Sequence, residues 1–449
     1  MSSAAAFPNR AMLEPFVLRR DTDKSFPDET KAPIRASGTT FWDAPFRFAF
    51  TFAKPPHISH LYAHLPGFPG PKKERPLAML ATHRHLALFR VGTEMSGPLN
   101  GLVQDFFIYS ATNNPDCPLK ALPPCTEPGM DYSRTDGRLP RRRRSSPKEG
   151  APARRLLMTK SMGLLCRGEE EFAVAELQLY KFRLSKVYAD IYLFIESGGP
   201  EPGKWNSMRV PILLSDNPYD TWQLCSWQTD AVIPVDRWLC WIDYCRGILF
   251  CDVFRKPAPT VSFLRFPLDK FPGTYDRSRA CSWLYRGVSA IYAGRALKFI
   301  DVARHDDIGY GALKPGAGFT ITCYTLTLGS TVWNTEILGS KVWKEDCTLT
   351  SDELWSDGGF PDYLPHEVLM LPQVDIDRPH VVHFLVSEYR YAMKKMWLVT
   401  IDMSSRAVRD YWQYTNGRED IGTEAEELTD ERSSCPRPFL VCEFPKYFR

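Results

Sequence analysis

Trp238-Leu239-Cys240-Trp241-Ile242-Asp243-Tyr244-Cys245-Arg246-Gly247-Ile248-Leu249-Phe250-Cys251-Asp252-Val253-Phe254 reads as two apolar strands joined by a turn. Trp238–Ile242 and Ile248–Phe254 are rich in aromatic and branched residues, the composition that a buried pleated surface favours. Between them Asp243 can accept hydrogen bonds from turn amides, and Gly247 can supply the positive φ that a tight turn often needs. Neither flank alternates polar with apolar. Both strands are therefore expected inside a sheet, covered on both faces.

Short runs of the same kind recur on either side. Arg47–Phe52 alternates aromatic with small or polar residues at period two. His60–His64, His85–Val91, Asp105–Tyr109, Tyr188–Ile195, Val261–Phe266, Phe319–Leu328, Val381–Val386 and Met396–Ile401 are further strand candidates, bounded by Pro, Gly, Asn or Ser. Helical stripes are scarce, the best being the short Glu424–Leu428. With 37 Pro and 28 Gly as punctuation, the pattern is an all-β chain: a sandwich, barrel or propeller.

The strands gather around Phe46–Val103, Leu156–Pro211, Thr221–Phe266, Trp283–Val332 and Glu367–Trp412. Several groups close on an edge strand leading into a tryptophan: Lys204-Trp205-Asn206, Thr331-Val332-Trp333-Asn334 and Arg409-Asp410-Tyr411-Trp412. This spacing predicts one propeller-like unit over residues 1–449, with roughly five to seven irregular blades. Closing such a ring would pair the N-terminal run Phe16–Leu18 with Phe439–Cys442.

Charge is unevenly placed. The chain of 449 residues carries a net +3, yet Arg134–Arg155 alone holds nine basic residues against Asp136 and Glu149, leaving −4 for the rest. Residues 117–155 are also proline-rich, which predicts a disordered basic insertion. Within it Arg141, Arg142, Arg143, Arg144, Lys148, Arg154 and Arg155 read first as a solvated loop, and their two-part layout offers a nuclear-import signal as the alternative. A mildly acidic body with one basic loop does not fit a nucleic-acid-binding domain. Membrane insertion is not expected either, because no stretch approaches the ~18 consecutive apolar residues of a spanning helix.

The 12 cysteines include no C-x-x-C pair, the usual spacing of structural zinc ligands. Met1–Leu18 lacks a basic segment followed by the apolar stretch of a secretory signal. The expectation is a cytoplasmic protein, with nuclear import as the second expectation, whose cysteines are buried reduced thiols. Neither bound metal nor a Cys240–Cys251 disulfide is expected. His83 and His85 share a strand face and read as a solvated or hydrogen-bonded pair rather than a metal site with His57, His60 or His64, whereas His380 and His383, three apart, face opposite sides. The glycines of Gly309–Gly316 lack the strand and helix of a phosphate loop. Asp243 and Asp252 could form an acid–base couple, but a turn position and a buried-strand position favour structural hydrogen bonding.

The stretch from Trp238, followed by the Pro-led strand at Pro257–Phe266, resembles a plant family known as domain of unknown function 1618, over roughly Trp238–His380. Trp241, Asp243, Tyr244, Arg246, Gly247, Leu249, Cys251 and Asp252 carry the resemblance, and Cys245 stands where an aromatic is commoner. The family has no assigned catalytic residues, so the resemblance implies none, and no cofactor. The resulting expectation is a monomeric, non-enzymatic interaction scaffold for another protein. The alternative is a hydrolase-like enzyme with carboxylates lining the channel of the propeller.

Overall fold

The structure is a computed structural model. It describes residues 7–68, 76–95, 101–111, 119–127, 154–182, 186–199, 201–215, 217, 219–268, 281–328, 343–356, 360–389, 393–415 and 436–448. Strands dominate, in five sheets among these residues. The chain divides into two compact units, one of residues 1–75, 267–332 and 341–449, the other of residues 76–266 and 333–340.

The first unit opens with β1 (Ala11–Leu13), β2 (Leu18–Arg19), β3 (Ile34–Thr39), β4 (Pro45–Thr51) and β5 (Ile58–His64) in one sheet. The alternation read in Arg47–Phe52 is realised in β4, where Phe46, Phe48 and Phe50 are all buried.

In the second unit β6 (Leu77–His83), β7 (Leu86–Met95), β8 (Gly101–Ser110) and β9 (Leu119–Ala121) make a four-stranded antiparallel meander in chain order. β10 (Met162–Cys166), β11 (Glu171–Phe182), β12 (Lys186–Ser197) and β13 (Lys204–Leu213) make another. After the helix α1 (Tyr219–Cys225) comes a third, of β14 (Ala231–Val235), β15 (Trp238–Asp243), β16 (Gly247–Asp252) and β17 (Thr260–Arg265). A parallel contact of β13 with β17, Ile212 opposite Val261, joins the last two into eight strands. The edge strands β10 and β14 meet again, so this sheet nearly closes on itself.

Returning to the first unit, α2 (Ser282–Tyr285) leads into β18 (Arg286–Ile291), β19 (Ala296–Arg304), β20 (Phe319–Thr327) and β21 (Lys344–Thr350), a further antiparallel meander. The short α3 (Ser351–Ser356) precedes the next, of β22 (Met370–Val374), β23 (Val381–Tyr389), β24 (Met393–Asp402) and β25 (Ala407–Tyr414). Finally β26 (Leu440–Cys442) pairs antiparallel with β1, Met12 opposite Val441. The N-terminal partner is thus Ala11–Leu13 rather than Phe16–Leu18. Leu18 and Arg19 instead pair in parallel with Tyr62 and Ala63 of β5.

Burial on both sides explains the apolar runs without alternation. In β11, Phe172 and Val174 enter one core with Leu164 and Tyr192, while Ala173, Ala175 and Leu177 enter another with Ile191 and Trp241. A strand serving two cores needs no polar face.

Residues 117–155 differ in part from the expected disordered insertion. Leu119–Ala121 forms β9, Leu122 and Cys125 join the core of β7 and β8, and Trp205 Nε1 donates to the Pro123 carbonyl at 2.7 Å. The proline count hid two buried apolar anchors that suffice to fix a short edge strand. Residues 128–153 lie outside the described ones.

Candidate functional site

The turn between β15 and β16 is built around one carboxylate. Asp243 is fully buried, its Oδ1 accepting from Cys245 N at 2.9 Å and its Oδ2 from Gln228 N at 2.8 Å. Arg246 Nη1 adds a 3.3 Å contact to Oδ2, and Arg246 is itself fully buried. Beside it Asp230 Oδ2 accepts from Tyr244 N, while Asp230 N donates to the Ile242 carbonyl. A buried carboxylate that gathers backbone amides and a guanidinium fixes a turn; it has no lone pair directed to solvent.

Trp241 completes the arrangement from the strand, donating through Nε1 to the Ser161 carbonyl at 2.8 Å. Gly247 is required for space. A Cβ there would lie 2.1 Å from the Leu264 carbonyl oxygen of β17. Cys251 is sealed in the core, and burial pushes its thiol far up. Asp252 pairs with Thr260 at the opposite end of β16 from Asp243 and faces Arg237 at 4.0 Å. The two aspartates therefore form no acid–base couple, as their positions in the sequence suggest.

Other candidates are held in the same structural way. His83 ends β6 and its Nδ1 accepts from Cys166 N at 2.8 Å, whereas His85 lies in the turn before β7, its Nε2 3.0 Å from the Glu169 carbonyl, so the two do not share a strand face and each is hydrogen-bonded to backbone instead. His383 is buried against Thr400 Oγ1 at 2.9 Å, and burial holds its imidazole down at about 4. His380 lies just ahead of β23. The Gly309–Gly316 segment is anchored by Arg304, which donates to the Gly311 and Ala312 carbonyls and forks onto Asp306.

Of the seven basic residues read as an import signal, Arg141, Arg142, Arg143, Arg144 and Lys148 lie outside the described residues. Arg154 and Arg155 do not belong to a free loop. Arg154 pairs with Asp105 at 3.1 Å, and the Arg155 guanidinium lies 3.8 Å from the Tyr192 ring centroid.

The outer strand β25 presents the opposite character. Arg409 to Gln413 are all exposed in succession, so this stretch shows solvent both of its faces. Tyr411 is 38% and Trp412 54% exposed. Tyr363, also exposed, packs edge-on to Tyr411 with centroids 5.2 Å apart, and His57 packs edge-on to Trp412 at 4.4 Å. Among the described residues β25 pairs with β24 alone, so its other edge is open to an added strand, which would displace Asp410 Oδ1 from the Tyr411 amide it accepts from at 2.8 Å. Sequence reading treats Arg409–Trp412 as the closing edge of a sheet. The signal for more lies in two adjacent aromatics, one of which should face water in any pleated strand.

Residues 241–383 match the family model described as Protein of unknown function (DUF1618). The DUF1618 match begins within three residues of the start expected from the sequence and runs three beyond the expected end. It contains Trp241, Asp243, Tyr244, Arg246 and Gly247, the residues of the buried turn, and ends before β25. No curated protein matches the chain. Among the described residues no helix is long and apolar enough to cross a membrane, and no group of His, Cys, Asp or Glu is arranged to hold a metal ion.

Proposed function

We propose that this protein is a propeller-like interaction scaffold that takes an extended segment of another protein against the open edge of β25. The propeller reading is supported by antiparallel four-strand meanders that follow one another in chain order, and by the pairing of the first strand with the last. The scaffold reading rests on a single observation. Tyr411 and Trp412 are exposed on a strand whose outer edge is unpaired among the described residues. Backbone groups along such an edge supply affinity for an added strand, and flanking aromatics read its alternate side chains. Arg409, an extra residue in β25 at the shift of register between Thr400 and Ile401, is tied to Asp402 at 2.7 Å. A bulge and a charged pair guard that end, leaving Tyr411–Gln413 as the docking stretch.

Panning a displayed random-peptide library on the purified protein tests this. Peptides with apolar residues at alternate positions should be enriched. Their capture should fall about tenfold, or ~1.4 kcal/mol, on the Tyr411→Ala/Trp412→Ala double variant. Peptides held equally well by the variant, or no enrichment at all, would overturn the proposal.

A further inference from the structure

Cys323 of β20 and Cys347 of β21 stand directly opposite one another in an antiparallel pair, so both side chains leave the sheet on the same side. Their thiols are neighbours across the pair, and neither is in a disulfide. The two sulfurs differ in access. Cys323 is fully buried among Ile300, Ile321 and Leu349, whereas Cys347 is partly exposed on the outer strand of its sheet. The register shifts right beside the pair, leaving Asp346 as an extra residue in β21. Lys298, almost wholly buried, reaches across to Asp346 Oδ2 at 3.1 Å and brings a positive charge to the site. The hydrogen bond from Cys323 and the charges of Lys298 and Arg406 hold the Cys347 thiol down at about 7. The same contact, with burial, pushes Cys323 far up. An accessible thiolate beside a protonated buried thiol is the division of labour between an attacking and a resolving cysteine.

We propose that Cys323 and Cys347 form a reversible dithiol that a hydroperoxide oxidises to an intramolecular disulfide, locking β21 onto β20. The Cys347 thiolate attacks the terminal peroxide oxygen, the O–O bond breaks, and the departing alkoxide takes a proton and leaves as an alcohol, or as water from hydrogen peroxide. Cys347 is left as a sulfenic acid. Cys323 then gives up its proton and attacks the Cys347 sulfur; the S–S bond forms and water leaves. Two thiols supply two electrons to one hydroperoxide, and a dithiol reductant reverses the change.

The hairpin β15–β16 provides an internal control. Cys240 is opposite Phe250 and Cys251 opposite Leu239, so the two cysteines project to opposite faces despite lying on paired strands. Both are fully buried, and burial pushes both thiols up.

The test is peptide mapping of the full-length protein after treatment with hydrogen peroxide. Expected is a linked pair of peptides carrying Cys323 and Cys347, two hydrogens lighter than the reduced pair and lost on adding dithiothreitol. Cys240 and Cys251 should remain alkylatable after denaturation. In Cys323→Ser, dimedone should trap Cys347 as its sulfenic acid. Should that buried variant not fold, Cys347→Ser on the outer strand replaces it and should leave Cys323 reduced under the same treatment. Cys323 and Cys347 both recovered as free thiols, Cys347 linked to another molecule instead, or Cys323 oxidised in Cys347→Ser would each overturn the proposal.

Discussion

The β15–β16 turn and the outer strand β25 are both aromatic-rich β-structure, yet one hides everything and the other almost nothing. From Trp238 to Cys251 every residue is buried, including Asp243 and Arg246. From Arg409 to Gln413 every residue is exposed, including Tyr411 and Trp412. The first lies at the start of the DUF1618 match and the second falls outside it. The residues by which the chain is recognised thus serve folding, while the aromatics free to meet another molecule are elsewhere. A polar residue recurring in a family pattern can mark a buried turn as readily as an active site, and only the partners of its atoms tell the two apart.

The largest expected effect follows from Asp243→Ala. It would leave the Arg246 guanidinium buried without its carboxylate, and Nε and Nη2 of Arg246 already have no acceptor among the described residues. Breaking a buried pair from one side costs about 3–5 kcal/mol, to be read from urea unfolding. An Asp243→Ala/Arg246→Met double variant should recover much of that loss, because removing both partners leaves no uncompensated charge. Failure of the double variant to recover any would assign the cost to the lost amide bonds of Cys245 and Gln228 instead.

A second effect sharpens the contrast by pH. Burial lowers the His383 imidazole from its usual 6.5 to about 4. The folded state therefore holds it neutral where the unfolded chain would protonate it. Its stability is fully present above pH 6.5 and is lost as the pH falls from 6.5 toward 4, amounting to about 3 kcal/mol for a shift of this size. His383→Asn should flatten the denaturation midpoint across that window. An unchanged slope would show that other groups carry it. The smallest effect belongs to β25. Tyr411→Ala/Trp412→Ala should cost no more than about 1–2 kcal/mol, because both rings are exposed and lose only their edge contacts with Tyr363 and His57. A larger loss would mean that the His57 and Tyr363 ring contacts hold the fold rather than a partner.

Much of the fold was legible because period and punctuation are local properties. The runs at His60–His64, Tyr188–Ile195 and Val381–Val386 fall in strands, as does Arg47–Phe52 but for its last residue, and the Trp238–Phe254 hairpin is found with its interior burial. Asp243 and Arg246 are three apart, so their meeting in a turn is within reach of the sequence as well. Register is not local. Whether β26 meets Ala11–Leu13 or Phe16–Leu18 depends on how loops of dozens of residues close, and the apolar character of Phe16–Leu18 points to the wrong one. For the same reason nothing in the sequence brings Cys323 to Cys347, 24 positions on and across a bulge, while the nearer Cys240 and Cys251 are parted by the parity of their strands. The exposed face of β25 was hidden differently. An aromatic pair at the closing edge of a sheet tells only that one ring faces water; that both are left exposed depends on neighbours distant in sequence.

Native-state hydrogen exchange on the unmodified protein tests the contrast most directly. The amides of Tyr244, Cys245 and Arg246, which donate to Asp230, Asp243 and the Asp243 carbonyl, should exchange only through opening of their whole unit. Those amides of Arg409–Gln413 that point away from β24 should exchange orders of magnitude faster. Comparable rates in the two regions would contradict the account, because the family-matched turn would then be no more a folding element than the open edge.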